Sequence, residues 1–153
     1  MAATHVRYEV AGWGVGEMWL EGDLLLHHEL PRASGDGASA RHPLARRVVR
    51  YFAGELDDFL DVELDLEGAT DFEQALTEVL RGVPSGKTVT YGELAALAGR
   101  PNAQRAAGTF CARNRFGLVV PCHRVVAAGG IGSYGSLGVE YKRRLLELEG
   151  VAV

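Results

Sequence analysis

Cysteine is scarce in this chain. There are two in 153 residues, and neither Cys111 nor Cys122 stands in a CxxC or zinc-finger spacing. That pattern excludes a disulfide-framed secreted miniprotein and gives no ligand set for a metal. Long apolar runs are missing as well. Stretches such as Leu24–Leu26 and Leu118–Pro121 are far too short to span a bilayer. Residues Met1 to Glu9 are mixed and polar, with no apolar stretch of signal-peptide length. The expectation is a reducing cytoplasm, or a nucleus in a eukaryote, and no membrane partner. No internal repeat is visible, and no large excess of one charge sign marks a disordered tail. The 16 Lys+Arg and 20 Asp+Glu give a net charge of −4, with 47% hydrophobic and 24% charged residues, ordinary values for a globular protein. The length suits one domain, or two small ones sharing a core.

The small net charge hides a division. Residues 1–80 carry 6 Lys+Arg against 16 Asp+Glu, a net of −10, whereas residues 81–153 carry 10 against 4, a net of +6. Such asymmetry points to a basic, polyanion-facing module joined to an acidic one. We expect domains at 1–68 and 69–153, in a mixed α+β fold. The first would be a small β-sheet with a helix; the second would be mostly helical.

The first third reads as strands. Val6, Tyr8 and Val10 alternate with polar residues, Gly12-Trp13-Gly14 breaks the run, and Glu21-Gly22-Asp23 between two apolar triplets predicts a hairpin. Pro31–Ala40 reads as a Gly/Ser-rich loop. His42-Pro43 opens a helical pattern that ends near Gly54, and Asp61–Leu66 alternates like a strand. Thr70 and Glu73 fit a capping box, followed by a helix that Gly82-Val83-Pro84 ends. Gly92–Ala98 and Asn102–Arg113 then read as two short helices across Gly99-Arg100-Pro101, with Asn102 as N-cap. This is a helix-turn-helix pattern, although any αα-corner would look the same.

On a helical wheel, Ala103, Ala106, Ala107, Phe110 and Cys111 form the apolar face of the second helix. The opposite stripe is Arg105, Gly108, Thr109 and Ala112. A free surface would favour Glu, Lys and Gln, and glycine costs about 1 kcal/mol inside a helix. Small residues around one arginine would let something large approach the backbone. The alternative is a helix packed on both sides, whose arginine then needs a partner.

Gly117–Val126 reads GLVVPCHRVV. Cys122 follows a proline and precedes His123 and Arg124, either of which would lower a thiol pKa on contact. A buried structural cysteine is the competing reading, since neighbours on a strand point to opposite faces unless the chain bends. The last helix, Val139–Leu148, carries Lys142-Arg143-Arg144 and ends Glu147-Leu148-Glu149-Gly150, with Gly150 suited to the C′ position. A carboxylate there opposes the helix dipole. Glu149 is either solvated or partnered by a donor, for which His123 is the candidate.

PCHRV (Pro121–Val125), Thr90-Tyr91-Gly92, Gln104-Arg105-Ala106-Ala107-Gly108, Asn114 and the closing Leu145–Gly150 together resemble the O6-alkylguanine-DNA alkyltransferases over about Phe72 to Gly150. Residues 1–66 match only as that family's variable N-terminal domain. The resemblance implies a self-inactivating repair reaction with no cofactor, in which Cys122 accepts the alkyl group of O6-alkylguanine. It implies His123 as the base acting through a water, Glu149 as the carboxylate orienting it, and Asn114 as the bridge from the helix-turn-helix to the active-site turn. The partner implied is double-stranded DNA, bound by a monomer through the minor groove, with O4-alkylthymine left open as a second lesion. By the same resemblance the base is flipped from the duplex. Arg105 fills the vacated space, and Tyr91 crowds the 3′ phosphate and hydrogen-bonds the guanine. The stripe of Gly108, Thr109 and Ala112 fits a groove only about 6 Å wide. Tyr134, Ser136 and the carbonyls of Cys122 and Val125 would line the base pocket, and Arg115 and Arg124 would lie toward DNA.

The sequence departs from that pattern in two places. Arg115 stands where proline is common, and the stretch from Tyr134 to Lys142 is one residue longer. Cys111 occupies a pocket-wall position and reads as a small buried hydrophobe, while His27-His28 reads as a surface strand pair. The other reading kept open is a non-catalytic alkyltransferase-like lesion-binding protein, although such proteins replace the cysteine retained here as Cys122.

Overall fold

The computed structural model describes residues 3–33, 37 and 41–153. It is mixed α/β, with a small N-terminal sheet and five α-helices among the described residues. The chain divides into two compact units: Met1–Asp65 with Arg115–Val119, and Leu66–Asn114 with Val120–Val153. Residues 115–119, which the sequence groups with the second half, thus pack within the first unit.

In the first unit, β1 (Thr4–Val10), β2 (Gly14–Glu21) and β3 (Leu24–Arg32) form an antiparallel meander. Glu21 pairs with Leu24, so the predicted hairpin closes through Gly22-Asp23. Alternation puts Val6, Tyr8, Met18, Leu20 and Leu25 inside, as a pleat with one buried face requires. The strand expected over Asp61–Leu66 shrinks to β4 (Glu63–Leu64), parallel to β3 at the edge. Of the loop expected over Pro31–Ala40, Pro31 and Arg32 instead extend β3; residues 34–36 and 38–40 lie outside the described residues. Helix α1 (Pro43–Phe52) starts where proline is tolerated, at N1, and His42 Nδ1 caps it by accepting from the Leu44 N–H at 3.1 Å.

His28 corrects the reading of a surface pair. It is buried, its Nδ1–H donates to the Gly117 carbonyl at 2.6 Å, and its Nε2 accepts from the Tyr8 hydroxyl at 2.5 Å. With the bond from His28 N–H to the Arg115 carbonyl at 2.7 Å, this contact draws residues 115–119 into the first unit. Burial pushes the imidazole down from 6.5 to about 4. The folded state therefore refuses a proton that the unfolded state accepts, and stability falls as pH drops from about 6.5 to about 4. The expected loss is about 3 kcal/mol. Thermal unfolding across that window should show it, and His28→Leu should flatten the slope; an unchanged slope would mean another group carries it.

The second unit opens with α2 (Asp71–Arg81), capped reciprocally by Thr70 and Glu73 as predicted. A second box, Thr90 with Glu93, starts α3 (Tyr91–Leu97). The same T-x-x-E spacing is legible in the sequence and places the start one residue before the expected Gly92. Next come α4 (Gln104–Ala112) and α5 (Val139–Leu148). Short strands β5 (Val89–Thr90) and β6 (Val125–Val126) pair in parallel, which ties the start of α3 to the segment after Cys122.

The turn between α3 and α4 is longer than the predicted three residues. Gly99 ends α3 at φ 98°, donating to the Ala96 carbonyl while Arg100 N–H reaches Ala95; this is the paired bonding of a Schellman motif, which needs a left-handed residue. Asn102 is not the N-cap. Its φ of 68° leaves it in the left-handed region outside the helix, and Ala103 takes the cap position with no side-chain bond.

Candidate active site

The groups that carry chemistry lie in the second unit, brought together by α4, the turn around Cys122 and α5. Pro121 leads into a 3-10 turn over Cys122–Arg124, the bend that adjacent side chains need in order to act on one site. Asn114 fastens this turn: its Nδ2 donates to the Val120 carbonyl at 2.9 Å, and its side chain also bonds the Cys122 thiol.

Cys122 is 3% exposed. Burial raises its pKa well above the ordinary thiol value, a hydrogen bond donated to Cys111 raises it further, and Asn114 and the nearby Lys142 charge act the other way. The expected lowering by neighbouring His and Arg is therefore not the resting state. The thiol is stored protonated, and any attack must remove its proton.

His123 is fully buried, and its Nε2 lies 2.9 Å from Glu149 Oε2. Its Nδ1 is buried and has no hydrogen-bond partner among the described residues. The carboxylate fixes the tautomer: Nε2 carries the proton, and Nδ1 keeps its lone pair for accepting one. Burial lowers the imidazole pKa, and the Glu149 bond opposes that shift.

Glu149 is placed by the end of α5. Gly150, at φ 87°, bonds the Glu147 carbonyl at 2.9 Å, and Val151 N–H reaches Leu146 at 2.9 Å, so the chain turns sharply and Glu149 points inward as the C-cap residue. Its unfavourable position at the dipole is offset by Arg124, whose Nε and Nη2 donate to the two carboxylate oxygens at 2.9 and 2.7 Å. Burial works against the anion, but Arg124 and His123 together hold the carboxyl well below the usual range.

This overturns the expectation for Arg124. It is 4% exposed, with Nη1 on the Val83 carbonyl at 2.6 Å and Nη2 also on Ser85 Oγ at 3.0 Å. A guanidinium spent on four internal acceptors does not meet DNA. Arg115 is exposed but belongs to the first unit, where its Nη2 donates to the Asp65 carbonyl at 2.9 Å and the group lies 5.0 Å over the Phe116 ring.

Lys142, which the sequence shows only as one of three successive basic residues, is a buried side chain beside Cys122. It is 0% exposed, its Nζ donates to the carbonyls of Val125 at 2.5 Å and Ser133 at 3.1 Å, and it sits 5.7 Å from the Tyr91 ring. Desolvation lowers its pKa to about 8, while both cysteines pull it upward. The signal was available. Lys142, Leu145, Leu146 and Glu149 recur at i, i+3, i+4 and i+7, the buried stripe of α5. The Val125 carbonyl, expected to face a ligand, already accepts this bond.

Tyr91 is half-buried with its ring against Gly108, and its hydroxyl bonds Ser133. Tyr134 is half-buried beside Tyr141, with burial and then the nearby Cys122 raising its phenol. Ser136 is exposed in a short 3-10 turn, Gly135–Leu137. On α4, only Ala107 is buried. Arg105, Thr109 and Ala112 are exposed, Gly108 is half-buried, and Ala106 faces outward rather than joining the apolar side. Cys111 is half-buried, not a buried filler.

Residues 71–151 match the family described as 6-O-methylguanine DNA methyltransferase, DNA binding domain. The chain belongs to that family. Among curated members of the 6-O-methylguanine DNA methyltransferase family, the methylated-DNA–protein-cysteine methyltransferase of Mycobacterium tuberculosis is 51% identical over 100 residues, 65% of this chain and 59% of the relative. The match thus spans less than two thirds of that relative's length. The protein of the same name from Methanopyrus kandleri is 44% identical over 115 residues, 75% of this chain and 85% of the relative. Among solved structures, M. tuberculosis OGT in complex with DNA superposes with a TM-score of 0.81 at 36% identity, covering 95% of this chain and 92% of that one. The O6-methylguanine-DNA methyltransferase of Pyrococcus kodakaraensis gives 0.72 at 32% identity, covering 98% and 99%.

Proposed function

We propose that this chain is a single-turnover DNA repair protein. It flips O6-alkylguanine out of duplex DNA and transfers the alkyl group irreversibly to Cys122. The observation that carries this reading is a buried Cys122 thiol in the same turn as His123, whose Nε2 is held by Glu149 and whose Nδ1 is unengaged. Family membership and a DNA-bound relative of the same fold add the partner.

In this reaction Cys122 Sγ attacks the alkyl carbon, a C–S bond forms, and the C–O6 bond breaks with its electrons passing to guanine. The thiol proton passes through one water to His123 Nδ1. Glu149 stabilises the imidazolium through Nε2–H and keeps its carboxylate because Arg124 holds it ionised. The thioether is stable, so each molecule acts once. Tyr91 hydrogen-bonds the extrahelical guanine, and Tyr134 closes over it. Arg105 enters the space the base leaves, and the low profile of Gly108, Thr109 and Ala112 admits α4 to the minor groove. Contacts to phosphate position the protein without reading sequence.

The test is intact-mass spectrometry after mixing with a duplex carrying one O6-methylguanine. One methyl group is expected on the peptide holding Cys122, with none in Cys122→Ala. Unmodified protein, or one molecule demethylating many duplexes, would refute the proposal.

A further inference from the structure

His28 does more than fill the first unit. Residues 115–119 belong to that unit, while Asn114 before them and Val120 after them belong to the second. Asn114 Nδ2 donates to the Val120 carbonyl at 2.9 Å, so the ends of this insertion are pinned to each other. Inside it the backbone is strained. Leu118 has φ 73°, and Val119 N–H donates to the Gly117 carbonyl, two residues back, at 2.9 Å. This is the rare form of the γ-turn, which a bulky side chain keeps only where its surroundings impose it. His28 imposes it. Its Nδ1–H donates to the same Gly117 carbonyl at 2.6 Å, and its backbone N–H donates to the Arg115 carbonyl at 2.7 Å. The ring is buried, and the Tyr8 hydroxyl, donating to Nε2 at 2.5 Å, keeps the proton on Nδ1.

The strained turn runs directly into the turn that carries the acceptor. Residues 117–119 form the first and residues 120–122 the second. Across Pro121, at φ −80° and ψ 66°, Cys122 N–H donates to the Val120 carbonyl at 2.8 Å, the relaxed mirror form of the same turn. Relaxation of Leu118 to negative φ would rotate the Val119–Val120 peptide and draw the Val120 carbonyl away from Cys122 N–H and Asn114 together. We propose that His28 is a positioning residue for the acceptor: through the Gly117 carbonyl it holds the turn at Leu118, and through the continuous chain the turn that presents Cys122 to the alkyl carbon. The proposal rests on the reading of Cys122 as alkyl acceptor. A thiol displaced by about an ångström loses its line of attack, at a cost of about tenfold to a hundredfold in rate. DNA plays no part in this hold, so the loss falls equally on duplex and on free base.

The experiment follows single-turnover methyl transfer by intact mass, from a duplex with one O6-methylguanine and from free O6-methylguanine base, each in excess. The amplitude counts folded molecules; the rate constant reports how they present Cys122. The informative pair is His28→Leu and His28→Asn, two side chains of one shape. The asparagine Nδ2–H stands where the imidazole Nδ1–H stood, and leucine has no donor. His28→Leu should react about tenfold to a hundredfold more slowly on both substrates, with deuterium uptake at the Val119 and Cys122 amides rising more than in β2. His28→Asn should recover most of the rate constant. Tyr8→Phe should lower the melting temperature and leave the rate constant near that of the wild type, because the Gly117 bond remains. His28→Leu with reduced amplitude but the wild-type rate constant makes His28 structural only and overturns the proposal. So does His28→Asn as slow as His28→Leu. Where His28→Leu does not fold, the wild type decides: Val119 and Cys122 amides exchanging as fast as an exposed loop overturn the proposal, and slow exchange retained in His28→Asn supports it. Wild type that protects both amides yet accepts no alkyl group refutes the repair reading alone.

Discussion

Arg105→Ala is expected to slow alkyl transfer from duplex DNA by about a hundredfold while slowing transfer from free O6-alkylguanine base far less. Flipping a base costs a few kcal/mol of lost stacking and pairing, and about 2.7 kcal/mol corresponds to a hundredfold in rate. Arg105 is exposed on α4, with Gly108, Thr109 and Ala112 on the side away from buried Ala107. A long side chain among short ones is the shape that can enter a stacked duplex and hold the vacated space. Free base has no stack to hold open, so the substitution removes nothing it needs. Single-turnover rates on both substrates decide the matter, and equal slowing would remove Arg105 from the flipping step. Arg105→Lys should recover only part of the duplex rate, because an ammonium lacks the flat guanidinium that stacks on bases.

The parts of this molecule that local rules govern were legible in the sequence. Thr70 with Glu73, His42-Pro43 and Gly150 mark helix ends because caps depend on a few neighbouring residues. The Gly22-Asp23 hairpin was readable for the same reason. What escaped depends on partners distant in sequence. His28 looks like surface until the Gly117 carbonyl, 89 residues later, gives it a partner. Arg124 looks like a DNA contact because it is a cation near Cys122, but Glu149 and the Val83 carbonyl claim it. Lys142 was hidden by Arg143 and Arg144, although the period of the buried stripe includes it. The pairing of β5 with β6 is two residues long, below what any pattern resolves. The fold class, the pairing of His123 with Glu149 and the exposure of Arg105, Thr109 and Ala112 were readable because each is written in one short segment or one spacing, whereas Ala106, expected on the apolar face, is exposed.

Glu149→Gln is expected to damage the protein twice, and the two losses separate. Arg124 is buried and donates to both Glu149 oxygens. A neutral amide there strands a guanidinium without a counter-charge, at a cost of about 3–5 kcal/mol, or a melting temperature lower by about 10 °C. The sign with pH is fixed by the carboxyl. Its pKa is held below the unfolded value, so its contribution is complete above about pH 4.3 and fades as pH falls below it. The gap between wild type and variant should be constant near neutrality and narrow in acid. The second loss is chemical. Arg124 draws the amide oxygen, which leaves the amide N–H₂ facing His123 Nε2. Nε2 must then accept, the ring proton moves to Nδ1, and the nitrogen proposed to receive the thiol proton is blocked. Transfer should fall by about 10²- to 10⁴-fold, the range for a base held in the wrong tautomer. Pairing Glu149→Gln with Arg124→Met removes both charges and should return much of the stability, because replacing a whole buried pair is far milder than breaking it. It should not return transfer. Recovery of both together would make Glu149 a structural anchor only, with no hold on the state of His123.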